Sequence, residues 1–222
     1  MAKKSSATRK TRVRAHPRQV TQSQKNPSGV TIVDEHSRRL PGTYLEEKEI
    51  YKIANGYSLK KILNPSSNSL NRPDENKYND LIGIWTDYFN SLFAINPPLD
   101  PDMIKALIGS ESDFKTNPKN PVAIGIAQIT KETYRIVQDP KGEVKDFIFT
   151  KISQKDLKNP DIAIPVAIRW LAHKKALAEK KLGRTANHED IILEYKGLLK
   201  SKTLYKGNAL ERYREFYGKL KK

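Results

Sequence analysis

Ala106-Leu107-Ile108-Gly109-Ser110-Glu111-Ser112-Asp113-Phe114 is an apolar run that ends in a glutamate and a serine. Upstream, Asp100 can cap a helix with Pro101 at its first position, and Met103, Ile104, Leu107 and Ile108 continue it to near Ser112. Downstream, Asn117 to Pro121 holds two prolines and two asparagines and reads as a loop. Val122-Ala123-Ile124-Gly125-Ile126-Ala127-Gln128-Ile129-Thr130 comes next, and Ile129 through Val137 suits another helix. A glutamate at a helix end is ordinarily a surface group. Held in a partly apolar pocket it keeps its proton near neutral pH, because desolvation disfavours the anion. Leu107, Ile108, Phe114 and Ile126 are candidates for such walls.

Helical periodicity extends on both sides. Leu81, Ile84, Tyr88, Leu92 and Ile95 fall on one face, widened by Trp85 and Phe89, until Asn96-Pro97-Pro98 stops the helix. Asn159-Pro160 opens a long helix with Val166, Trp170, His173 and Leu177 on one face, Pro165 inside and Gly183 at its end. Asn187 caps a helix with Ile191, Ile192 and Tyr195, and Asn208 with Glu211 forms a cap pair for a last one. The fold class expected is mainly α. The domains expected are a basic, disordered tail at 1–30, a connecting region at 31–77 that packs on the next domain, and a helical domain at 78–222. No internal repeat is evident.

The chain has 222 residues and a formal charge of +16, half of it in residues 1–30, which contain no acid. That charge attracts polyanions in general and does not choose among nucleic acid, anionic lipid and cell wall. The absence of cysteine excludes disulfide scaffolds, cysteine nucleophiles and cysteine-ligated zinc. His16, His36, His173 and His188 show no metal-ligand spacing, and no phosphate-cradling glycine loop is present, so no cofactor is expected. Lys174, Lys175, Lys180 and Lys181 read as a solvated helix face. No apolar run reaches the ~20 residues needed to span a bilayer.

Three blocks in order carry a resemblance. Glu111-Ser112 is followed by Asn120-Pro121, then by Gly125-Ile126-Ala127-Gln128-Ile129 and Thr133. Asn159-Pro160-Asp161-Ile162-Ala163-Ile164 leads to Trp170-Leu171, and Glu194-Tyr195-Lys196-Gly197 closes the series. Over about residues 80–217 the chain resembles the soluble lytic transglycosylases, whose catalytic domain has a helical, goose-type lysozyme-like fold. It departs from the family pattern where the Gly before Ile124 is missing, where Met becomes Ala127, and where Asn becomes Lys196 and Ala163. The interval from Glu111 to Gln128 is also one residue shorter.

The resemblance implies cleavage of peptidoglycan strands between N-acetylmuramic acid and N-acetylglucosamine. In that reading Glu111 acts as acid and then base, and the sugar's C6 hydroxyl leaves a 1,6-anhydro end. Ser112 orients the carboxylate or sugar, Gln128 lines the cleft, and Tyr195 bonds near the Glu or the acetamido group. Hydrolysis normally uses a second carboxylate, for which Asp113 is the obvious choice. The departures admit a hydrolytic muramidase or chitinase variant, or a glycan-binding protein without turnover. Nucleic-acid binding through residues 1–30 ranks last, because the rest of the chain has no recognisable DNA-binding motif or aromatic platform. No apolar segment succeeds the basic start as a secretory signal requires. The expectation is therefore a protein acting at the periplasm or cell wall, delivered by a phage particle or specialised secretion system. The basic tail would serve a scaffold or delivery partner.

Overall fold

The structure, a computed structural model, describes residues 10–13, 16–19, 30–33, 36–39, 44–57, 62–201 and 203–222. It divides into two compact units, Met1–Tyr44 and Leu45–Lys222.

In the first unit, β1 (Lys10–Val13) pairs antiparallel with β4 (His36–Arg39), and β2 (His16–Gln19) with β3 (Val30–Val33). The register sets Val13 opposite His36 and His16 opposite Val33. It brings out a repeat that a linear reading passes over. Thr11-x-Val13-x-x-His16-x-Arg18 returns as Thr31-x-Val33-x-x-His36-x-Arg38. Composition predicts no regular structure through residue 30, yet residues 10–13 and 16–19 pair as strands. β-Branched Thr11, Val13, Thr31, Ile32 and Val33 favour the extended backbone. The rest of the expected tail lies outside the described residues.

The second unit begins within β5 (Tyr44–Glu46), which pairs with β8 (Ile148–Thr150), and α1 (Glu47–Gly56) comes directly after β5. The helices α2 (Asn79–Leu92), α3 (Pro101–Ser112), α4 (Lys131–Ile136), α5 (Pro160–Leu182), α6 (His188–Tyr195) and α7 (Thr203–Leu220) complete it. Two-residue strands β6 (Ala123–Ile124) and β7 (Ile129–Thr130) form a small hairpin.

The helical expectation holds, with several corrections. From the region expected at 31–77 to pack on the next domain, Leu45, Ile50 and Leu70 lie in the same core as the helices. On α2 the buried face runs through Ile82, Trp85 and Phe89, while Leu92 is exposed. The reason is the aromatic cluster that Trp85, Phe89, Phe93 and Phe147 build beneath it. Ile129 and Thr130 are strand, and α4 starts one residue later because the Thr130 hydroxyl caps Thr133. Asn208 lies inside α7 rather than capping it. Of the four lysines expected on a solvated face of α5, Lys180 is exposed and the other three are engaged. Lys174 lies over Trp170, Lys175 is buried against Glu179, and Lys181 bonds Glu194 at 2.5 Å.

Every residue from Pro101 to Gly109 is buried, so α3 is a central helix, apolar on all sides save at Asp102 and Lys105. Lys105 is fully buried and donates from Nζ to the Ser66 carbonyl at 2.6 Å and to Asn76 Oδ1 at 2.5 Å. It ties the 62–78 segment to the helix. Burial pushes its ammonium down to about 8, against the opposing pull of Glu75 and Asp102. Between that value and the free-lysine value near 10.5 the unfolded chain binds more protons than the folded one. Stability therefore rises with pH across that window, and the cost of the buried charge is present in full below it. Urea titrations of wild type and Lys105→Met from pH 7 to 10.5 should show the gap moving steadily in favour of the wild type. A constant gap would mean that Lys105 keeps an ordinary affinity for its proton.

Candidate functional site

Glu111 stands one residue from the end of α3, where the buried helix meets the surface, with its side chain 18% exposed. The chain then turns sharply. Asp113 (φ 54°) and Phe114 (φ 63°) are consecutive left-handed non-glycine residues, a costly conformation that neighbours must hold. Asp113 accepts from Arg72 Nε at 2.7 Å and from Arg212 Nη2, and Arg212 also reaches the Ser110 carbonyl at 3.3 Å. Phe114 is buried under Gly109 and beside Phe216. The helix end is thus fixed from two directions. Leu107, Ile108, Phe114 and Ile126 are all fully buried, so the expected walls are part of the core itself.

The hairpin β6–β7 turns through Gly125-Ile126-Ala127-Gln128. Gly125 (φ 76°) and Gln128 (φ 50°) are left-handed, and the Gln128 amide closes on the Gly125 carbonyl at 3.1 Å. The Gln128 carboxamide is spent on the turn: Nε2 donates to the Gly125 carbonyl at 2.8 Å, and Oε1 accepts from Asn120 at 2.6 Å. Asn120 also accepts from the Val122 amide, so the loop after α3 and the hairpin are stitched together.

The third element is the end of α6. Tyr195 Oη donates to the Ala127 carbonyl at 2.8 Å, and Lys196 Nζ donates to Glu111 Oε1. Burial first, and then the Glu111 charge, push the Tyr195 phenol up, so it stays a donor at any physiological pH. Gly197 (φ 72°) reverses the chain just after Lys196.

The fold therefore brings Glu111, Tyr195 and the Gln128 turn together, and adds Lys196, which the sequence marks only as a departure from the family block. Ser112 goes elsewhere: it is buried, and its hydroxyl donates to the Ile108 carbonyl at 3.1 Å. The Arg72 and Arg212 partners of Asp113 lie 41 and 99 residues away in sequence, with no local signal. His173, on the rim of a separate cavity of about 540 Å³ that does not include Glu111, bonds Glu143 at 2.9 Å and stacks on Trp170. No group of three or more His, Cys, Asp or Glu side chains that could hold a metal occurs among the described residues.

A mainly helical domain with a glutamate at the end of its central helix, facing a small hairpin, is lysozyme-like in architecture. Residues 94–192 match the family model of the transglycosylase SLT domain, and over that stretch the chain is similar to the lytic transglycosylases. The match includes Glu111, Ser112 and Gln128 and stops before Tyr195 and Lys196. No curated protein and no solved structure matches the chain. No helix among the described residues is long and apolar enough to cross a membrane. The family supports peptidoglycan lytic transglycosylase activity in general, at the cell wall.

Proposed function

We propose that this chain cleaves the β-1,4 bond between N-acetylmuramic acid and N-acetylglucosamine by lytic transglycosylation, with Glu111 as the single acid and base. Glu111 protonates the leaving oxygen as the C1–O bond breaks. The C6 hydroxyl of the same sugar bonds to C1, its proton returns to Glu111, and a 1,6-anhydro end results. The observation that carries this reading is the fate of the nearest second carboxylate in sequence. Asp113 is engaged by two guanidinium groups in the turn after α3, so it is poorly placed to serve as nucleophile or base. Tyr195 and Gln128 act by fixing the hairpin that faces Glu111, and Ser112 by closing the helix end. The basic N-terminal unit is read as a docking module for a delivery or scaffold protein.

Digestion of purified peptidoglycan with wild type and Asp113→Asn, read by product mass spectrometry, tests the mechanism. Anhydro ends are expected from both proteins, with the variant about 1–3 kcal/mol less stable because its charged partners lose their anion. Reducing ends that vanish in Asp113→Asn would make the protein a hydrolase. One observation favours a second reading, a glycan-binding domain without turnover: the Lys196 ammonium is bonded to the Glu111 carboxylate. That reading predicts binding of strands with no bond cleavage at any protein concentration.

A further inference from the structure

The Glu111–Lys196 pair poses a charge problem that the reaction must solve. The two side chains are 18% and 20% exposed, so neither sits freely in water. Bonded to each other, the two charges cancel. A glutamate that donates a proton to the leaving oxygen is itself neutral at that moment. Lys196 then keeps its charge and loses its anion, and an unpaired, mostly buried ammonium is costly. Next to it in the chain, Tyr195 is a neutral donor already committed to Ala127, and Gln128 of the hairpin is committed to Gly125 and Asn120. Asp113 is held by Arg72 and Arg212. These neighbours are already committed to other partners. A lysine on a flexible four-carbon stem can exchange one anion for another.

Resting on the catalytic reading of Glu111, we propose that Lys196 determines specificity by moving from Glu111 to a carboxylate on the muramic acid residue of the bound strand. The exchange releases Glu111, which takes up a proton from solvent and so becomes the acid, while Lys196 and the substrate carboxylate form the new neutral pair. It makes the site selective for acidic glycan over a neutral N-acetylglucosamine polymer. The carboxylate is either the lactyl group of a strand stripped of its peptide or a carboxylate of the attached stem peptide. Both offer the same chemistry. The overall charge of +16 acts in the same direction at long range.

The test is binding by Glu111→Gln, whose turnover is too slow to consume the probes during a titration and which leaves Lys196 without its resting anion. Three probes of equal length are compared by calorimetry: chitotetraose, a stripped muramic-acid tetrasaccharide, and the same tetrasaccharide bearing stem peptides. Glu111→Gln should bind an acidic tetrasaccharide roughly ten- to a hundredfold more tightly than chitotetraose. Preference for the stripped or the peptide-bearing form identifies which carboxylate is taken. The preference should disappear in Glu111→Gln/Lys196→Met and persist in Glu111→Gln/Lys196→Arg, which keeps the charge. Equal affinity for acidic and neutral probes overturns the proposal, as does a preference that survives Lys196→Met. Failure of the wild type to cleave any strand sinks the catalytic reading while leaving this binding result to stand or fall by itself. Glu111-dependent cleavage with no charge preference sinks only the exchange.

Discussion

Glu111→Gln is expected to lower release of anhydro-ended fragments from peptidoglycan by roughly 10²–10⁴-fold, the usual worth of a positioned general acid. The substitution is nearly isosteric. A glutamine oxygen still accepts from Lys196, so the link between the ends of α3 and α6 survives. What is lost is the ability to carry a proton to the leaving oxygen and to take one back from the C6 hydroxyl. The fold should be undisturbed, because the arrangement around Asp113 that fixes the helix end does not involve Glu111. The measurement is initial product release by mass spectrometry at matched protein concentration, with circular dichroism to confirm the fold. Wild-type rates in this variant would remove Glu111 from the chemistry and leave only its structural contact.

Gly125→Ala should be the most damaging small substitution in the domain. A Cβ at this position would lie 1.9 Å from the Leu157 carbonyl oxygen, and the backbone there is left-handed at φ 76°. Neither partner can yield cheaply. The hairpin is closed by Gln128 on one side, and Leu157 belongs to a short 3-10 turn that leads into the cap of α5. A loss of about 3–5 kcal/mol is expected, in the range reserved for buried clashes and strained backbone. Gly183→Ala is the control. Gly183 has a similar φ of 66° and ends α5, but nothing lies within 4 Å of an added Cβ. It should cost only about 1 kcal/mol, the left-handed penalty alone. Urea midpoints of the two variants separate the clash from the dihedral. Comparable losses in both would show that the hairpin can move away from Leu157. Cleavage should fall with Gly125→Ala beyond its loss of stability, since the displaced turn carries the Ala127 carbonyl that Tyr195 holds.

Helices whose signals are local were legible in the chain. Asp100 with Pro101, Asn159 with Pro160, and Asn187 each cap the helix they introduce, because the capping bond joins residues two or three apart. Where the signal was ambiguous the neighbours decided. The α2 periodicity runs through Leu81, Ile84 and Leu92 and is widened by Trp85 and Phe89, and the Phe147 cluster centres the buried face on Ile82, Trp85 and Phe89. Asn208 looks like a cap, but the α7 backbone begins five residues earlier, at Thr203. Short strands β6 and β7 carry two residues each, too few for any periodicity to register. The twofold pattern in residues 10–39 was present in the letters. Its antiparallel pairing is non-local, so only the register made it visible.

By itself the sequence determined a helical domain and the place of its candidate acid, since caps, periodicity and the order of the Glu111, Gln128 and Tyr195 blocks are properties of neighbours along the chain. The tertiary structure decided what that acid meets. Lys196 lies 85 residues from Glu111, and Arg212 lies 99 from Asp113. No local preference encodes such pairs. They exist because α6 and α7 pack where they do, and packing brings charges together that the linear order keeps apart.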